Sequence, residues 1–396
     1  MSDRLLRLQA RNFRSLAKVN VELDASNVLF GPNGAGKTTF LDTIWFVRDC
    51  AIRGVDEASS DRSHGIGALW DGADEGANIS IELETRLATY EVIFGYSAGR
   101  IEPFVGEVLD SKVLRRRLID RKVGSDKAEF YHYNIADMAL LTLKEPEKLA
   151  LTRYLAFADS SEAASVDRLL RFVHFYQARE ADLYRLKKRG SDASYHTWLF
   201  DRCQNLWSVL RNLHDRQGVD ERYDTIIGFM RESFPAFRDL LIEPTGPNTV
   251  YGSFLEKGRR SPIQASGVSD GHLQMLAHLT ALFAEGKEHF SLLMFDEPEA
   301  SLHPYALAVF AKAVKLATEE WNKQVFIATH SPVLISQFDP KNILATELDG
   351  AGQTIIRRVS EIPEIRDLLE EYAAGSLYMA EVLAAQSKPT FEEVPT

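Results

Sequence analysis

The sequence has 396 residues, of which 45% are hydrophobic and 26% are charged. That balance is typical of a globular chain and excludes the disordered and collagen-like classes over most of the length. No run reaches the roughly 18 apolar residues that a membrane span needs, and the N-terminus lacks the apolar core of a signal peptide, so we expect a cytoplasmic protein. The two cysteines are too few for a disulfide framework. With 46 basic and 57 acidic residues the net charge is −11, which disfavours a protein that coats nucleic acid indiscriminately.

The N-terminal residues predict short strands that lead into a phosphate-binding loop. Strand-like runs cover Leu5–Ala10, Lys18–Leu23 and Asn27–Phe30. Gly31–Thr38 then matches the pattern G-x-x-x-x-G-K-[ST] in full. Its glycines let successive backbone N–H groups face an anion, while the lysine can reach the β- and γ-phosphates and the threonine hydroxyl can ligate Mg²⁺. The residues of this segment that we expect to bind the nucleotide are Asn33, Gly34, Ala35, Gly36, Lys37, Thr38 and Thr39.

The middle of the chain changes from a strand pattern to a helical one. Asn78–Glu84 and Thr89–Tyr96 alternate apolar and polar residues and predict an antiparallel hairpin, with a third strand near Ile101–Leu109. Arg48–Ala77 predicts a long loop region with short helices. From Ser160 to about Phe237 the apolar period is helical, and this length suffices only for a compact helical lobe. The first apolar stripe of this lobe is Val166, Leu169, Leu170 and Val173.

Two basic runs interrupt this middle region. One is Arg115–Arg117 with Arg121 and Lys122, and the other is Arg185 with Lys187–Arg189. Basic runs contact nucleic-acid phosphate or an acidic partner, or they form solvated faces of surface segments. The sequence leaves these alternatives open.

Two apolar runs in the C-terminal half end in polar residues that suit phosphate chemistry. Ser291–Phe295 is followed by Asp296 and Glu297, and Gln324–Ala328 is followed closely by His330. A carboxylate at the end of a parallel strand lies beside the phosphate loop, so we expect Asp296 to hold Mg²⁺ and Glu297 to deprotonate the attacking water. His330 is interpreted as a sensor of the γ-phosphate. Together with the N-terminal loop, these strand ends predict an α/β P-loop NTPase on a mainly parallel sheet.

Further segments resemble one class of P-loop protein. Ser266–Leu273 resembles the signature motif of ABC-type ATPases, in the S-D-G form of the RecF- and SMC-like predicted ATPases of prokaryotes. Asn12–Ser15 resembles the opening of this family, Glu297–Pro304 its extended Walker B motif and D-loop, and Thr329–Pro332 its H-loop. The resemblance implies an ABC-type head, with a mainly parallel sheet, an antiparallel β-lobe and an inserted helical lobe.

The resemblance also implies how the site is completed. In this family two heads sandwich two nucleotides, so Ser269 and Gly271 of one subunit face the ATP bound to the other subunit. Arg14 joins the nucleotide-binding set, and Lys37, Glu297 and His330 form the catalytic set. We expect the side chain of the following Asp270 to cap its own helix. The candidate for the family's Q-loop glutamine is Gln177, whose competing interpretation is a helix-surface residue.

The same reasoning predicts the organisation of the chain. Residues 1–159 form the N-terminal half of the head, 160–240 a helical insertion, 241–385 the C-terminal half and 386–396 a flexible tail. The stretch Ser360–Leu383 has a helical pattern. Overcoming-lysogenization-defect nucleases, which share this head, continue into a Toprim domain with clustered acidic residues. No D-x-D occurs in this sequence, so we expect no nuclease site in it.

Three functions compete at this stage. The leading hypothesis is an ATPase that binds ATP and Mg²⁺, forms a homodimer or higher oligomer around ATP, and acts as sensor or regulator of a separate effector. Lone heads of this kind resemble the ATPase components of prokaryotic anti-phage systems, in which the effector is often a nuclease. The alternative is a DNA-repair or chromosome-associated ATPase that contacts DNA directly. A transporter subunit is disfavoured by the S-D-G motif and by the long interval between Lys37 and Ser269.

Overall fold

The computed structural model describes residues 4–363, 368, 373–380 and 383. The predicted tail at 386–396 lies outside these residues, as does part of the predicted helix Ser360–Leu383. The strands, in chain order, are β1 (Arg7–Phe13), β2 (Leu16–Glu22), β3 (Ser26–Phe30), β4 (Ile79–Glu84), β5 (Ala88–Phe94), β6 (Tyr96–Ser97), β7 (Arg100–Ile101), β8 (Gly106–Ser111), β9 (Arg116–Arg121), β10 (Lys127–His132), β11 (Asp137–Thr142), β12 (Val173–Gln177), β13 (Ser191–Asp192), β14 (Phe237–Gly246), β15 (Thr249–Glu256), β16 (Ile263–Gln264), β17 (Ser291–Asp296), β18 (Lys323–Thr329), β19 (Ile343–Leu348) and β20 (Thr354–Arg358).

The helices complete the element order. They are α1 (Lys37–Arg53), α2 (Val55–Ser60), α3 (Ala150–Leu155), α4 (Ser161–Arg171), α5 (Leu183–Lys188), α6 (Leu206–His214), α7 (Arg222–Ser233), α8 (Asp270–Phe283), α9 (Pro304–Glu320), α10 (Pro332–Ile335) and α11 (Ala374–Met379). Within the described part of the chain, no helix combines the length and the apolar character needed to cross a membrane.

A six-stranded sheet in the order β12-β17-β18-β3-β19-β20 forms the centre of the fold. Its neighbours pair in parallel except β19 and β20, which are antiparallel. All residues of β3 and β18 are buried, as expected for strands covered on both faces. This arrangement confirms the predicted α/β class with a mainly parallel sheet.

The side chains of the central strands alternate between two hydrophobic cores. Leu29 and Met294 face one core, which also contains α1 and α4, while Val28 and Phe295 face the other, which contains α8 and α9. Because successive side chains of a strand point to opposite faces, these strands serve both cores. The central sheet thus holds the ends of β3, β17 and β18 in a fixed register.

An eight-stranded antiparallel sheet lies beside this centre, in the order β11-β10-β9-β8-β5-β4-β1-β2. The predicted hairpin is confirmed as β4 and β5, which pair from Ile79–Phe94 to Glu84–Thr89. Alternate residues of β4 and β5 are buried, which is the pattern of strands with one covered face. The sheet is larger than the three strands that the sequence pattern indicated, because β9, β10 and β11 extend it on one side and β1 and β2 on the other.

The prediction of a helical lobe from Ser160 to about Phe237 is wrong at two segments, the strand β12 and the two-residue strand β13. Helix α4 ends at Arg171, and Val173–Gln177 then forms β12, which pairs in parallel with β17 of the central sheet. The apolar stripe that carried the helical period into Val173 therefore joins a helix to a strand. Farther along, the helical pattern is confirmed at α6, which buries Leu206, Leu210 and Leu213, and at α7, which buries Ile226, Ile227 and Met230. The preceding residues Leu199 and Cys203, which continue the same apolar spacing, lie before α6.

Arg115–Arg117 and Lys122 of the first basic run are exposed, as solvated charges are, but the run also contains a buried cation and an ion-paired one. Arg121 is fully buried and pairs with Glu107 at 3.4 Å. Arg117 pairs with Asp110 at 3.1 Å and with Asp120 at 2.7 Å. Each of these cations thus has an acidic partner within the same sheet.

Candidate functional site

The loop between β3 and α1 is shaped by two glycines that its neighbours enclose. Gly31 and Gly36 have φ values of 154° and 95°. A Cβ at Gly31 would lie 2.0 Å from the carbonyl oxygen of Thr346, and one at Gly36 would lie 2.2 Å from Thr354 Oγ1. Both positions therefore exclude a side chain, because real Cβ atoms do not approach heavy atoms so closely. Of the other loop residues, Ala35 is buried, Thr39 is half-buried, and Asn33 and Gly34 are exposed at the crest.

Lys37 begins α1 and folds its side chain back over this loop. Its Nζ donates to the carbonyl oxygens of Gly31 at 2.8 Å and Pro32 at 2.9 Å. The side chain is buried, and burial lowers the pKa of its ammonium group, against the opposing effect of the nearby carboxylates of Asp296 and Glu297. The lysine thus lies at the loop that its sequence motif assigns it to, held by backbone acceptors.

Thr38 meets Asp296 across the sheet. The hydroxyl of Thr38 lies 3.1 Å from Oδ1 and 3.0 Å from Oδ2 of Asp296. Asp296 is the last residue of β17, and its register partner on β18 is Ala328. Burial raises the pKa of the Asp296 carboxyl group to about 6, assisted by the charge of Glu297 and opposed by the Thr38 hydrogen bond. Two residues that are far apart in sequence thus place adjacent oxygen atoms where a cation could be coordinated.

Glu297 follows immediately and is surrounded by polar groups. Its backbone has a φ of 50°, and its N–H donates to the carbonyl oxygen of Ala328 at 2.8 Å. Its Oε2 lies 2.6 Å from Nη2 of Arg179, and its Oε1 lies 3.9 Å from Nδ1 of His330. The side chain of Glu297 is therefore directed to the same sheet end as the Thr38–Asp296 pair.

A second glutamate fixes the His330 segment. Oε1 of Glu299 accepts hydrogen bonds from the hydroxyl of Thr329 at 2.7 Å and from the N–H of His330 at 2.9 Å. The same oxygen lies 3.4 Å from Nδ1 of His330. The strand end of β18 and the loop after β17 are thus joined through one carboxylate.

Gln177 lies at the end of β12, next to Asp296 in the register of the sheet. Its side-chain amide, oriented with the nitrogen toward Glu180, donates to Oε1 at 2.8 Å. The competing interpretation of Gln177 as a helix-surface residue is wrong, since the residue ends a strand. Gln177 thus lies beside the strand end of β17, and its role as the Q-loop glutamine stays a prediction.

A cavity of about 470 Å³ opens in front of Thr38. Arg14 and Gln177 line it as well, together with Asp42 and Arg62. Asp42 pairs with Arg14 at 3.1 Å and with Arg62 at 2.7 Å. Of the residues expected to bind the nucleotide, Arg14 and Thr38 thus border a space of ligand size.

Ser269 and Gly271 lie elsewhere on the same chain, at the N-terminus of α8. Ser269 is exposed, is not among the residues that line the cavity at Thr38, and has its hydroxyl 2.8 Å from Nδ1 of His272. A Cβ at Gly271 would lie 2.4 Å from the carbonyl oxygen of Ser301. The helix N-terminus is therefore in close contact with the D-loop segment of its own chain.

The predicted role of Asp270 as a helix cap is wrong. Its Oδ1 lies 2.5 Å from Nζ of Lys187, in α5. The ion pair with Lys187 thus takes the place of the hydrogen bonds that the helix backbone was expected to donate to the Asp270 carboxylate. Lys187, assigned above to a basic run, is thus a partner of the signature segment.

The structure brings together the three strand-end segments and adds residues that the sequence patterns did not indicate. Arg179, Glu180 and Glu299 contact predicted site residues. In the sequence, Glu299 lies within the segment Glu297–Pro304 noted above, and Arg179 and Glu180 lie directly after Gln177. Among the described residues, no group of three or more His, Cys, Asp or Glu side chains could hold a metal ion.

The family of the chain follows from a comparison with known proteins. The model of the family described as "AAA domain, putative AbiEii toxin, Type IV TA system" matches residues 26–336, well over half of the sequence. The chain belongs to this AAA family. The matched range contains the P-loop, Ser269, Asp296 and His330. The expected resemblance to a family of predicted ATPases of prokaryotes is therefore confirmed.

Individual relatives of this AAA-family chain are more distant. Endonuclease GajA of Bacillus cereus (strain VD045) is 23% identical over 424 residues, covering 97% of this chain and 66% of GajA. Protein ea59 of Escherichia phage lambda is 38% identical over 77 residues, covering 19% of this chain and 14% of ea59. The chain thus spans less than two thirds of the length of each. A solved SMC head bound to the C-winged helix domain of ScpA is 13% identical, with a TM-score of 0.49, covering 91% of this chain and 99% of that one.

Proposed function

We propose that this AAA-family chain is an ATPase of the ABC type that dimerises around ATP and regulates a separate effector in prokaryotic anti-phage defence. The observation that carries the proposal is the contact between Thr38 and Asp296, at 3.0 and 3.1 Å. This contact joins the phosphate loop to the strand end where Glu297 and His330 also lie. Membership of the family supports nucleotide binding, and the arrangement of these side chains supports hydrolysis.

The donor set fits Mg²⁺ and the phosphates of ATP. Mg²⁺ in nucleotide sites takes one or two protein oxygen ligands in addition to phosphate oxygens and water, and Thr38 and Asp296 supply such ligands. The enclosed glycines Gly31 and Gly36 leave backbone N–H groups to face an anion. Lys37 has only backbone carbonyl oxygens as hydrogen-bond acceptors, so an anion can compete for its ammonium group.

The catalytic roles follow from the positions of the acid and base groups. Glu297 accepts the proton of the attacking water, and His330 contacts the γ-phosphate. Arg179 pairs with the carboxylate of Glu297 at 2.6 Å, so this salt bridge opens before Glu297 can act as a base. A bound triphosphate supplies the competing negative charge that draws the guanidinium away.

The regulatory part of the proposal rests on the separation of Ser269 from the Thr38 cavity. A signature serine that is exposed on its own chain is available to a nucleotide on a second copy. The similarity to GajA, named as an endonuclease, supports a connection to nuclease chemistry. The effector partner that we propose is accordingly a nuclease.

The alternative function, direct DNA binding by a repair ATPase, receives less support from the basic runs. Three members of these runs, Arg117, Arg121 and Lys187, each have an acidic partner within 3.4 Å. The other members that are exposed include Arg115, Arg116, Lys188 and Arg189. Paired cations contribute less to phosphate binding, because their charge is already neutralised.

The decisive experiment measures the mass of the Glu297→Gln variant by light scattering, with and without Mg-ATP. We expect a dimer only with Mg-ATP, because the variant retains the nucleotide that joins the two heads. Steady-state hydrolysis by the same variant should be slower than that of the natural protein by about 10²- to 10⁴-fold, the usual contribution of a positioned base.

Two control variants separate binding from assembly. Lys37→Ala should lose ATP binding and remain a monomer. Ser269→Arg should bind ATP yet remain a monomer, since the larger side chain blocks the second copy. A Glu297→Gln protein that binds Mg-ATP and stays monomeric, with salt-sensitive DNA binding instead, would move the assignment to the repair alternative.

A further inference from the structure

The hydroxyl of Ser269 has an unusual partner for a residue at the start of a helix. Ser269 is the N-cap of α8, but its side chain makes no cap hydrogen bond to the helix backbone. Its Oγ lies 2.8 Å from Nδ1 of His272, one turn along. An N-cap serine ordinarily accepts from a backbone N–H of the first turn. Here the imidazole takes that place, and the hydroxyl orientation depends on the ring.

The ring of His272 is held from two sides. It stacks on Phe234 with ring centres 3.9 Å apart and planes inclined by 19°, and it meets Phe254 edge to face at 6.1 Å. Phe234 follows α7 and Phe254 lies in β15, so two separate elements fix the ring. Burial lowers the pKa of the His272 imidazole, against the opposing charge of Glu256. The ring is therefore in the neutral form near neutral pH, with one nitrogen protonated.

The tautomer decides what the serine can still do. A hydroxyl has a single hydrogen, so a serine that donates to Nδ1 has none left for an anion. If Nδ1 carries the proton, the ring donates to Oγ, and the hydroxyl hydrogen remains available on the exposed side of Ser269. The neutral Nδ1–H form is thus the one compatible with a phosphate-binding serine.

We infer that His272 is a positioning residue, which fixes the rotamer of Ser269 and leaves its hydroxyl hydrogen for the γ-phosphate held by the second copy. The inference rests on the proposed function, because it assumes that Ser269 completes the site of a partner subunit. The aromatic contacts of Phe234 and Phe254 hold the imidazole in the plane that this role needs.

Two substitutions of His272 separate the nitrogen from the ring. His272→Asn keeps a nitrogen at the position of Nδ1 and removes the stacked ring. His272→Phe keeps a ring against Phe234 and removes the nitrogen. For His272→Phe we expect kcat for ATP hydrolysis to fall by about tenfold, the equivalent of one hydrogen bond to the serine, with KM for ATP unchanged. For His272→Asn we expect kcat within about twofold of the natural protein.

A double-mutant cycle with Ser269→Ala tests whether His272 affects kcat through Ser269. If the histidine acts through the serine, His272→Phe in the Ser269→Ala background should cause no further loss of kcat. Light-scattering mass of the Glu297→Gln protein should show a weakened ATP-dependent dimer for His272→Phe and an undisturbed dimer for His272→Asn. Urea unfolding of each variant reports the packing cost, which we expect to be larger for the asparagine.

The outcomes separate this inference from the proposed function. Full activity of His272→Phe, with Ser269→Ala impaired, overturns the positioning role and leaves the composite site intact. The positioning role is likewise overturned if only His272→Asn is impaired. It is also overturned if the double variant loses kcat by the product of the factors of His272→Phe and Ser269→Ala. Normal hydrolysis and dimerisation by Ser269→Ala overturn the proposed composite site and the positioning role together.

Discussion

Asp296 is a site residue at which burial makes a negative charge costly. Burial raises the pKa of its carboxyl group to about 6, and the charges of Glu297 and Glu299 act in the same direction. The folded protein therefore binds this proton more tightly than the unfolded chain does. Without a bound cation, the protonated carboxyl group of Asp296 stabilises the fold at low pH. This contribution is lost as the pH rises from the ordinary pKa of an aspartate through the raised pKa of about 6.

The raised pKa of Asp296 also predicts how Mg²⁺ binding depends on pH. The cation needs the deprotonated carboxylate, so its affinity in the presence of ATP should fall as the pH is lowered from about 7 to about 5. Titration of Mg²⁺ against a fluorescent ATP analogue, at a series of pH values, measures this directly.

Asp296→Asn serves as the matched control for the pH titration. Its affinity for Mg²⁺ should be weaker throughout and show a flatter pH dependence over the same range, because the titrating group is gone. An equally steep pH dependence in the asparagine variant would assign the effect to another group of the site.

At the scale of elements, the contact between α8 and the D-loop segment predicts that position 271 does not tolerate a side chain. Gly271→Ala places a Cβ 2.4 Å from the carbonyl oxygen of Ser301, a backbone atom that cannot move alone. We expect a loss of about 1–3 kcal/mol in the free energy of unfolding, typical of overpacking. The ATP-dependent dimer should weaken as well, since Ser269 lies in the displaced segment. Urea unfolding and light scattering measure the two effects.

The same substitution in another helix provides the control. Gly228 lies in α7, and a Cβ built there meets nothing within 4 Å. Gly228→Ala should therefore raise the free energy of unfolding, by up to about 1 kcal/mol, because alanine favours the helical backbone. If both alanine variants change stability in the same direction, the contact with Ser301 does not explain the requirement for glycine at position 271.

Elements also differ in how far their sequence predicts them. The strands before the phosphate loop, before Asp296 and before His330 each end in an abrupt change from apolar to polar residues, and this change indicates both the strand and the site. The sequence pattern did not predict β12 as a strand, because a strand buried on both faces shows no apolar–polar alternation. In addition, the first residue of β12 continues the apolar spacing of α4. The pairing of Gln177 with Asp296 and of Arg179 with Glu297 depends on the sheet register, which local spacing does not encode.

The whole molecule is organised so that distant segments meet at buried polar groups. Glu107 of β8 accepts hydrogen bonds from the hydroxyl of Tyr90 at 2.7 Å and from the N–H of Leu151, in α3, at 3.1 Å. Arg121 of β9 lies 3.4 Å from Glu107, with both side chains fully buried, and donates to the carbonyl oxygen of Lys148 at 3.1 Å. This network ties the antiparallel sheet to the helix that leads back toward the central sheet.

Removal of one partner of this network should affect the whole fold. Arg121→Met leaves the carboxylate of Glu107 buried without its cation, and we expect a loss of about 3–5 kcal/mol in the free energy of unfolding. The double variant with Glu107→Leu should recover part of this loss, since it removes the uncompensated charge. The control is Arg171→Met, which breaks the exposed pair of Arg171 with Asp167 at 2.7 Å and should cost no more than about 0.5 kcal/mol. Urea unfolding curves of the four proteins decide the question: equal losses for Arg121→Met and Arg171→Met would mean that the buried pair stabilises the fold no more than an exposed one.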